Sequence, residues 1–352
     1  MYTDYYGLSE RPFQLTPDAR FYFSSRTHKK AMAYLGYGIA QGEGFIVITG
    51  DIGAGKSTLV QHLLTTIDRA RRNAISLVST QVEGDDMLRL VAQGMGIATA
   101  GLTKAQLLDE IEHWLRGEAR ARKRTLLIVD EAQNLSVSAL EELRMLSNFQ
   151  LGGQALIQIL LLGQPEFREK LAGAEALEQL RQRVIATHHL DAMEPSEVEP
   201  YIVHRLVVVG WHGRPGFTAE AFAALHRHSG GIPRRVNQLA SRLMLYAGIE
   251  QLETIDDGVV ESVAADMAAD APATREPQMH EARVLPLRGA TIAPAGLDAE
   301  VRSELEGMLE QRVAALEARL DEQEVALRRI LTLLVDWVEN GQQAPSYRHN
   351  AA

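Results

Sequence analysis

The residues best able to do chemistry begin with GDIGAGKST at 50–58. Gly50, Gly55, Lys56 and Ser57 fit the pattern G-x-x-x-x-G-K-[ST]. Glycines at these places let backbone N–H groups approach phosphate oxygens, and the helix that follows turns its positive end toward them. A lysine at position 56 reaches β- and γ-phosphates, and a serine at 57 offers its hydroxyl to Mg²⁺. A second group is LLIVDEAQNL at 126–135, an apolar strand ending in Asp130 and Glu131. The aspartate suits support of a divalent cation, and the glutamate suits orientation of an attacking water. A third is LLLGQPE at 160–166, where Gln164 ends another apolar strand and can hydrogen-bond a water or a γ-phosphate. Pro165 also marks that place as a turn that starts a helix.

Two arginine-bearing stretches follow. LEQLRQRVIATHHL at 177–190 carries Arg181 and Arg183 just before a strand. A guanidinium there can stabilise charge on a transferring phosphoryl group, and Arg183 is expected to face a neighbouring subunit's nucleotide. A solvated helix end is the simpler alternative. GGIPRRVNQL at 230–239 places Arg234 one residue after a helix-starting proline, where it can reach a γ-phosphate from a mobile lid. A surface ion pair is the alternative for that residue.

These groups need a frame. The runs FIVIT (45–49), AISLV (74–78), TLLIVD (125–130), LIQILLL (156–162) and VIATHHL (184–190) are strand-length and nearly free of charge. That is the look of a parallel sheet buried on both faces. Segments of helical spacing separate them, so the expected fold is a doubly wound α/β domain. After Leu190 the strands are expected to stop, and three helical segments predict a small all-α lid. Expected boundaries are 1–43 for a leading segment, 44–192 for the nucleotide-binding domain and 193–267 for the lid. Residues 268–298 are Ala- and Pro-rich and read as a disordered linker. Across 299–340, Leu309, Val313, Leu316, Leu320, Gln323, Leu327, Ile330, Leu334 and Trp337 alternate spacings of four and three. That is a coiled-coil seam with one polar interruption, or else one amphipathic helix packing on the body. Residues 341–352 read as a disordered tail.

Bulk properties narrow the classes. Cysteine is absent, which removes disulfides, thiolate metal sites and cysteine nucleophiles. His188, His189, His204, His212, His226 and His228 lack a carboxylate at ligand spacing, so they read as packed or surface histidines. Residues 1–260 carry 27 basic and 30 acidic groups, and 261–352 carry 9 and 16. A near-neutral body with an acidic tail is a poor footprint for a dedicated DNA binder. The basic clusters RARRN (69–73) and RARKR (120–124) are each expected at a helix C-terminus, where positive charge is favoured without nucleic acid. No signal peptide is expected from MYTDYYGLSERPF, and the longest apolar run, ALIQILLLG, is too short to span a bilayer. A cytoplasmic protein, at most peripheral at the inner membrane, is the expectation.

In this order, GDIGAGKS, LLIVDEAQNL, LLLGQPE, LRQRV and GIPRR resemble the motifs of an AAA+ ATPase. Within that superfamily the chain is similar to the general secretion pathway protein A (ExeA-like) group. YYGLSERPFQLTPDARFYFSSRTHKKAMAYLGYGIAQGEGFIVITG resembles that group's N-terminal segment. The branch associated with exosortase and PEP-CTERM protein-sorting loci, where exopolysaccharide genes are also found, is the nearest match suggested. The resemblance covers roughly residues 1–265 and implies ATP hydrolysis with Mg²⁺. It implies nucleotide contact from Gly50, Asp51, Ile52, Gly53, Ala54, Gly55, Lys56, Ser57 and Thr58, and metal support from Ser57 and Asp130. It further implies water activation by Glu131, a sensor 1 place for Gln164, an arginine-finger place for Arg183 and a sensor 2 place for Arg234. Such ATPases assemble, so a homo-oligomer is implied, with the heptad segment recruiting a protein partner. The secretion proteins typically continue into a transmembrane helix and a peptidoglycan-binding part, whereas here the linker and heptads follow. DNA-associated ATPases of the transposition accessory type share similar motifs and stand as the alternative.

Overall fold

In the computed structural model, residues 2–78 and 83–270 are described. The five apolar runs form one parallel sheet: β1 (Phe45–Gly50), β2 (Arg72–Val78), β3 (Arg124–Asp130), β4 (Ile157–Gly163) and β5 (Val184–Leu190). Their order is β2-β3-β4-β1-β5. Side chains alternate faces along a strand, so each run feeds two cores. Phe45, Val47, Leu127, Val129, Ile159 and Leu161 meet one group of helices. Those are α4 (Gly84–Gly94), α5 (Lys104–Arg120), α6 (Val137–Leu146), α7 (Pro165–Gly173) and the short α8 (Glu178–Arg181). Ile46, Ile48, Leu126, Ile128, Leu160 and Leu162 face α2 (Arg26–Gln41) and α3 (Lys56–Thr66) on the other side. The central strands β1 and β4 are buried throughout, which explains why their sequences show no polar alternation.

Register decides what the sheet presents. Thr49 pairs with Gly163 and with His189, and Val78 pairs with Asp130. The carboxyl ends of β1, β3 and β4 therefore end together at one edge, the usual ligand edge of an open α/β sheet.

A third core lies beyond the sheet. It is built from α9 (Pro195–Val208), α10 (Ala219–Ser229), α11 (Pro233–Ile249) and α12 (Asp257–Asp270). Tyr2 and Tyr6 of α1 (Tyr2–Tyr6), with Leu8, Phe13 and Phe21, complete it, so the first twenty-one residues pack with these helices rather than with the sheet. Arg205, 6% exposed, fixes this arrangement by donating to Pro12 O at 2.7 Å and Gln14 O at 3.1 Å.

Several expectations need correction. Strands do not stop at Leu190: Gly216–Phe217 pairs in parallel with Thr254–Ile255. A two-residue antiparallel pair, Gln150–Leu151 with Gln154–Ala155, was also not anticipated. Helix α12 continues to Asp270, so residues 268–270 are helical and not linker. RARRN does not end a helix, because α3 stops at Thr66. Asp68 accepts the Ala70 N–H at 2.9 Å on its side chain, a local turn that competes with the helix and delivers Arg72 and Asn73 to β2. RARKR does stand at a helix C-terminus as expected: Arg120 ends α5, Arg122 turns with φ +60°, and Arg124 then begins β3. The expected linker beyond 270, the heptad segment and the tail lie outside the described residues. No helix among the described residues is long and apolar enough to cross a membrane.

Candidate active site

The loop from Gly50 to Gly55 leaves β1 and enters α3 at Lys56. Gly53 and Gly55 have φ of +87° and +99°, the left-handed region that penalises side chains. Space forbids them as well. A Cβ on Gly53 would lie 2.3 Å from Arg234 Cβ, and one on Gly55 would lie 2.8 Å from His28 Nε2. The loop is thus clamped between α11 and α2.

Lys56 is 7% exposed, and its Nζ donates to Gly50 O at 2.6 Å and Asp51 O at 3.0 Å. Burial lowers its pKa, and the carboxylates of Glu131 and Asp130 oppose that shift. Across the edge, Ser57 Oγ donates to Asp130 Oδ2 at 3.3 Å. Two hard oxygens so placed beside a phosphate-type loop suit Mg²⁺, which takes one or two protein oxygens and completes its shell with water and phosphate.

After β3 the backbone turns sharply at Glu131, whose φ of 56° is left-handed for a non-glycine residue. Its N–H donates to Asp130 Oδ1 at 2.9 Å. Its carboxylate Oε2 accepts from Gln133 Nε2 at 2.5 Å and from Gln164 Nε2 at 3.3 Å. Gln133 Oε1 in turn accepts the backbone N–H of Gln164 at 3.0 Å. Lys170 of α7 donates to the carbonyls of Gln133 and Leu135, anchoring the same turn. The chain therefore holds one carboxylate oxygen in a fork of two amides, within the cavity wall that Lys56 and Ser57 share.

Arg234 joins the same cavity from α11. Pro233 starts α11, and the Arg234 N–H donates to Gly53 O at 3.1 Å, a direct bond between the helical part and the loop. Lys56, Ser57, Thr58, Glu131 and Arg234 line one cavity of about 230 Å³. Arg183 is not among them. It precedes β5 at the amino edge of the sheet, where its carbonyl accepts the Phe45 N–H and its Nη1 donates to Ser147 Oγ at 3.1 Å. Arg181 donates to Leu171 O and Ala172 O. Neither arginine reaches its own chain's loop.

The histidines fall into packing and surface roles. His188 Nε2 lies 3.1 Å from Thr27 O and its ring stacks on Tyr34. His189 Nδ1 meets Thr49 Oγ1 at 3.0 Å, and His228 pairs with Glu261. Three groups at the site went unnoticed in the sequence. Gln133 stood inside the quoted DEAQN run and Asn237 inside IPRRVNQL, both without a spacing rule to single them out. His28, buried against the loop, has its Nδ1 2.7 Å from Ser25 Oγ. Burial pushes its pKa down to about 4.

Residues 39–171 match the AAA domain family. Cdc6p from Pyrobaculum aerophilum superposes with a TM-score of 0.58 over 71% of this chain and 71% of that one, at 13% identity. The fold is that of an AAA+ ATPase. The ADP form of the Aeropyrum pernix ORC2 protein aligns with a TM-score of 0.55 over 73% of this chain and 72% of its own, at 15% identity. In sequence, this chain is 37% identical over 250 residues to general secretion pathway protein A of Aeromonas hydrophila. The match covers 70% of this chain and 45% of that relative, so the chain spans less than half of its length.

Proposed function

We propose that this chain hydrolyses ATP to ADP and phosphate, with Mg²⁺, and couples that reaction to assembly or regulation of an envelope export system. The observation that carries the reading is the Glu131 carboxylate, forked by Gln133 and Gln164 in one cavity with Lys56 and Ser57. Residues 50–58 hold the phosphates, with Lys56 on the β- and γ-groups. Ser57 and Asp130 hold Mg²⁺, which neutralises phosphate charge when bound. Glu131 orients water and takes its proton as oxygen adds to the γ-phosphorus and the bridge to the β-phosphate breaks. Gln164 fixes that carboxylate, and Arg234 reads the γ-phosphate from α11. Arg183, remote from its own loop, serves the nucleotide of a neighbouring copy in a homo-oligomer.

The relation to general secretion pathway protein A supports a secretion role for the coupled work. Within that role we assign the chain to the exosortase and PEP-CTERM sorting branch, with its exopolysaccharide export genes. It acts in the cytoplasm or at the inner face of the inner membrane, and the heptad segment at 299–340 recruits its protein partner.

The test is phosphate release by the full chain with ATP and Mg²⁺, beside Glu131→Gln. Wild-type turnover no greater than that of the variant sinks the enzymatic reading. Mixing Lys56→Ala with Arg183→Ala chains restores part of the activity if the arginine acts between copies; two inactive proteins that stay inactive together refute that role. Deletion of the gene should block sorting of PEP-CTERM substrates, and unaltered sorting and export refute the branch.

A further inference from the structure

The cavity has a second end that the phosphate chemistry does not use. Besides the loop residues its lining includes Tyr201, Arg205 and Asn237, which are 5%, 6% and 6% exposed. Arg205 Nη1 donates to Tyr201 Oη at 3.2 Å, and Tyr201 Oη lies 2.8 Å from Asn237 Oδ1. The direction of this chain is forced. A guanidinium has five N–H donors and no acceptor, so the phenol oxygen accepts from it and must send its one hydrogen onward. The carbonyl oxygen of Asn237 is the acceptor beside that hydrogen, and this pairing orients the amide with Oδ1 toward Tyr201. Its Nδ2 has no hydrogen-bond partner among the described residues. The residue is 6% exposed and lines the cavity, so this donor is left for water or for a ligand there.

What it could meet follows from the residues that share the cavity. Lys56 and Ser57 fix the phosphate end, which leaves the flat heteroaromatic end of a nucleotide for the Tyr201–Asn237 wall. Leu15, Phe21 and Met193 supply apolar flanks for a ring there. Resting on the nucleotide-binding reading above, we propose that Asn237 recognises the base. Its amide N–H, locked in direction by Tyr201 and Arg205, donates to a ring nitrogen of the purine. Asn237 is then a specificity-determining residue, and Tyr201 and Arg205 are positioning residues.

The experiment is equilibrium binding to the full chain in a Glu131→Gln background, which suppresses turnover. The ligands are ATP, its 1-deaza, 3-deaza and 7-deaza analogues, and inorganic tripolyphosphate. One hydrogen bond corresponds to about a two- to tenfold change in Kd. One analogue should therefore bind about that much more weakly than ATP when Asn237 is present. With Asn237→Ala added, ATP and that analogue should bind alike, while tripolyphosphate binds as before. Equal analogue-to-ATP ratios with and without Asn237 overturn the proposal. If Asn237→Ala loses tripolyphosphate binding, the decision passes to Tyr201→Phe. That variant keeps the ring but frees the amide to rotate, so it should narrow the analogue's deficit; an undiminished deficit overturns the proposal. Failure of ATP and tripolyphosphate alike to bind before either change removes the nucleotide reading itself and the inference with it.

Discussion

Gln133→Glu is the substitution that most directly tests how the fork works. The replacement is isosteric and still accepts the Gln164 N–H, but it can no longer donate to Glu131. At the present 2.5 Å contact, two carboxylate oxygens would meet where an amide and a carboxylate now do. A hydrogen bond to a charged group contributes about 1.5–3 kcal/mol, and that is the stabilisation removed from the working position of Glu131. If the whole of it acts in the transition state, kcat falls by about ten- to a hundredfold. The phosphate contacts proposed for residues 50–58 are untouched, so nucleotide Kd should stay within about twofold, well under the tenfold that 1.4 kcal/mol represents. Gln133→Ala should be milder, since Gln164 Nε2 remains as a donor at 3.3 Å. The assay is phosphate release at saturating ATP with Kd measured separately. A kcat for Gln133→Glu equal to wild type refutes the claim that the amide fork positions Glu131. A parallel loss of nucleotide affinity would show instead that the substitution disrupts the loop.

Other consequences follow from the contacts around the loop. Gly53→Ala forces a side chain into a left-handed backbone and into Arg234 Cβ, costing about 1–2 kcal/mol in backbone strain alone. Separating α11 from the loop should weaken nucleotide binding about tenfold, read by titration with a fluorescent nucleotide; unchanged Kd would show that the Gly53–Arg234 bond is dispensable. Arg205→Ala removes donors to Pro12 O, Gln14 O and Tyr201 Oη together, and stability should fall by about 3 kcal/mol. Limited proteolysis should then cut near residues 10–20 first, and intact resistance there would count against Arg205 as the tie. His28 has its pKa lowered from 6.5 to about 4 in the fold, so the unfolded chain binds a proton that the native one refuses. Its contribution is complete above about pH 6.5 and is lost as pH falls toward 4, up to about 3 kcal/mol. His28→Gln should flatten urea-denaturation stability over that window, and an unaltered pH slope would place the acid sensitivity elsewhere.

What the sequence disclosed and what it withheld divide along chain separation. Gly50–Thr58 and Asp130–Glu131 were legible because each is a continuous run whose chemistry and geometry are both local, with a buried strand in front. The five strands were legible because burial on both faces leaves uninterrupted apolar runs. The RARRN expectation failed for an equally local reason, since Asp68 forms a turn that the helical periodicity did not reveal. The contacts that make the cavity are of another kind. Gln133 meets Gln164 across two strand ends, Gly53 meets Arg234 across 181 residues, and Arg205 holds carbonyls 191 and 193 residues away. Gln164 and Arg234 stood out on local grounds, but none of these pairings is written in spacing, because each exists only once β3 and β4 are adjacent and the first twenty-one residues have joined α9–α12. The helical part is therefore more than a cover over the loop. Its backbone N–H at Arg234 is bonded to Gly53, and Glu194 and Glu197 at the start of α9 bind Arg26 at the start of α2. A change of loop conformation at Gly53 is felt at once by α11, while α9 stays tied to α2. Tyr201 of α9 is in turn bonded to Asn237 of α11, so the loop, α11, α9 and α2 form one connected path rather than separately moving parts.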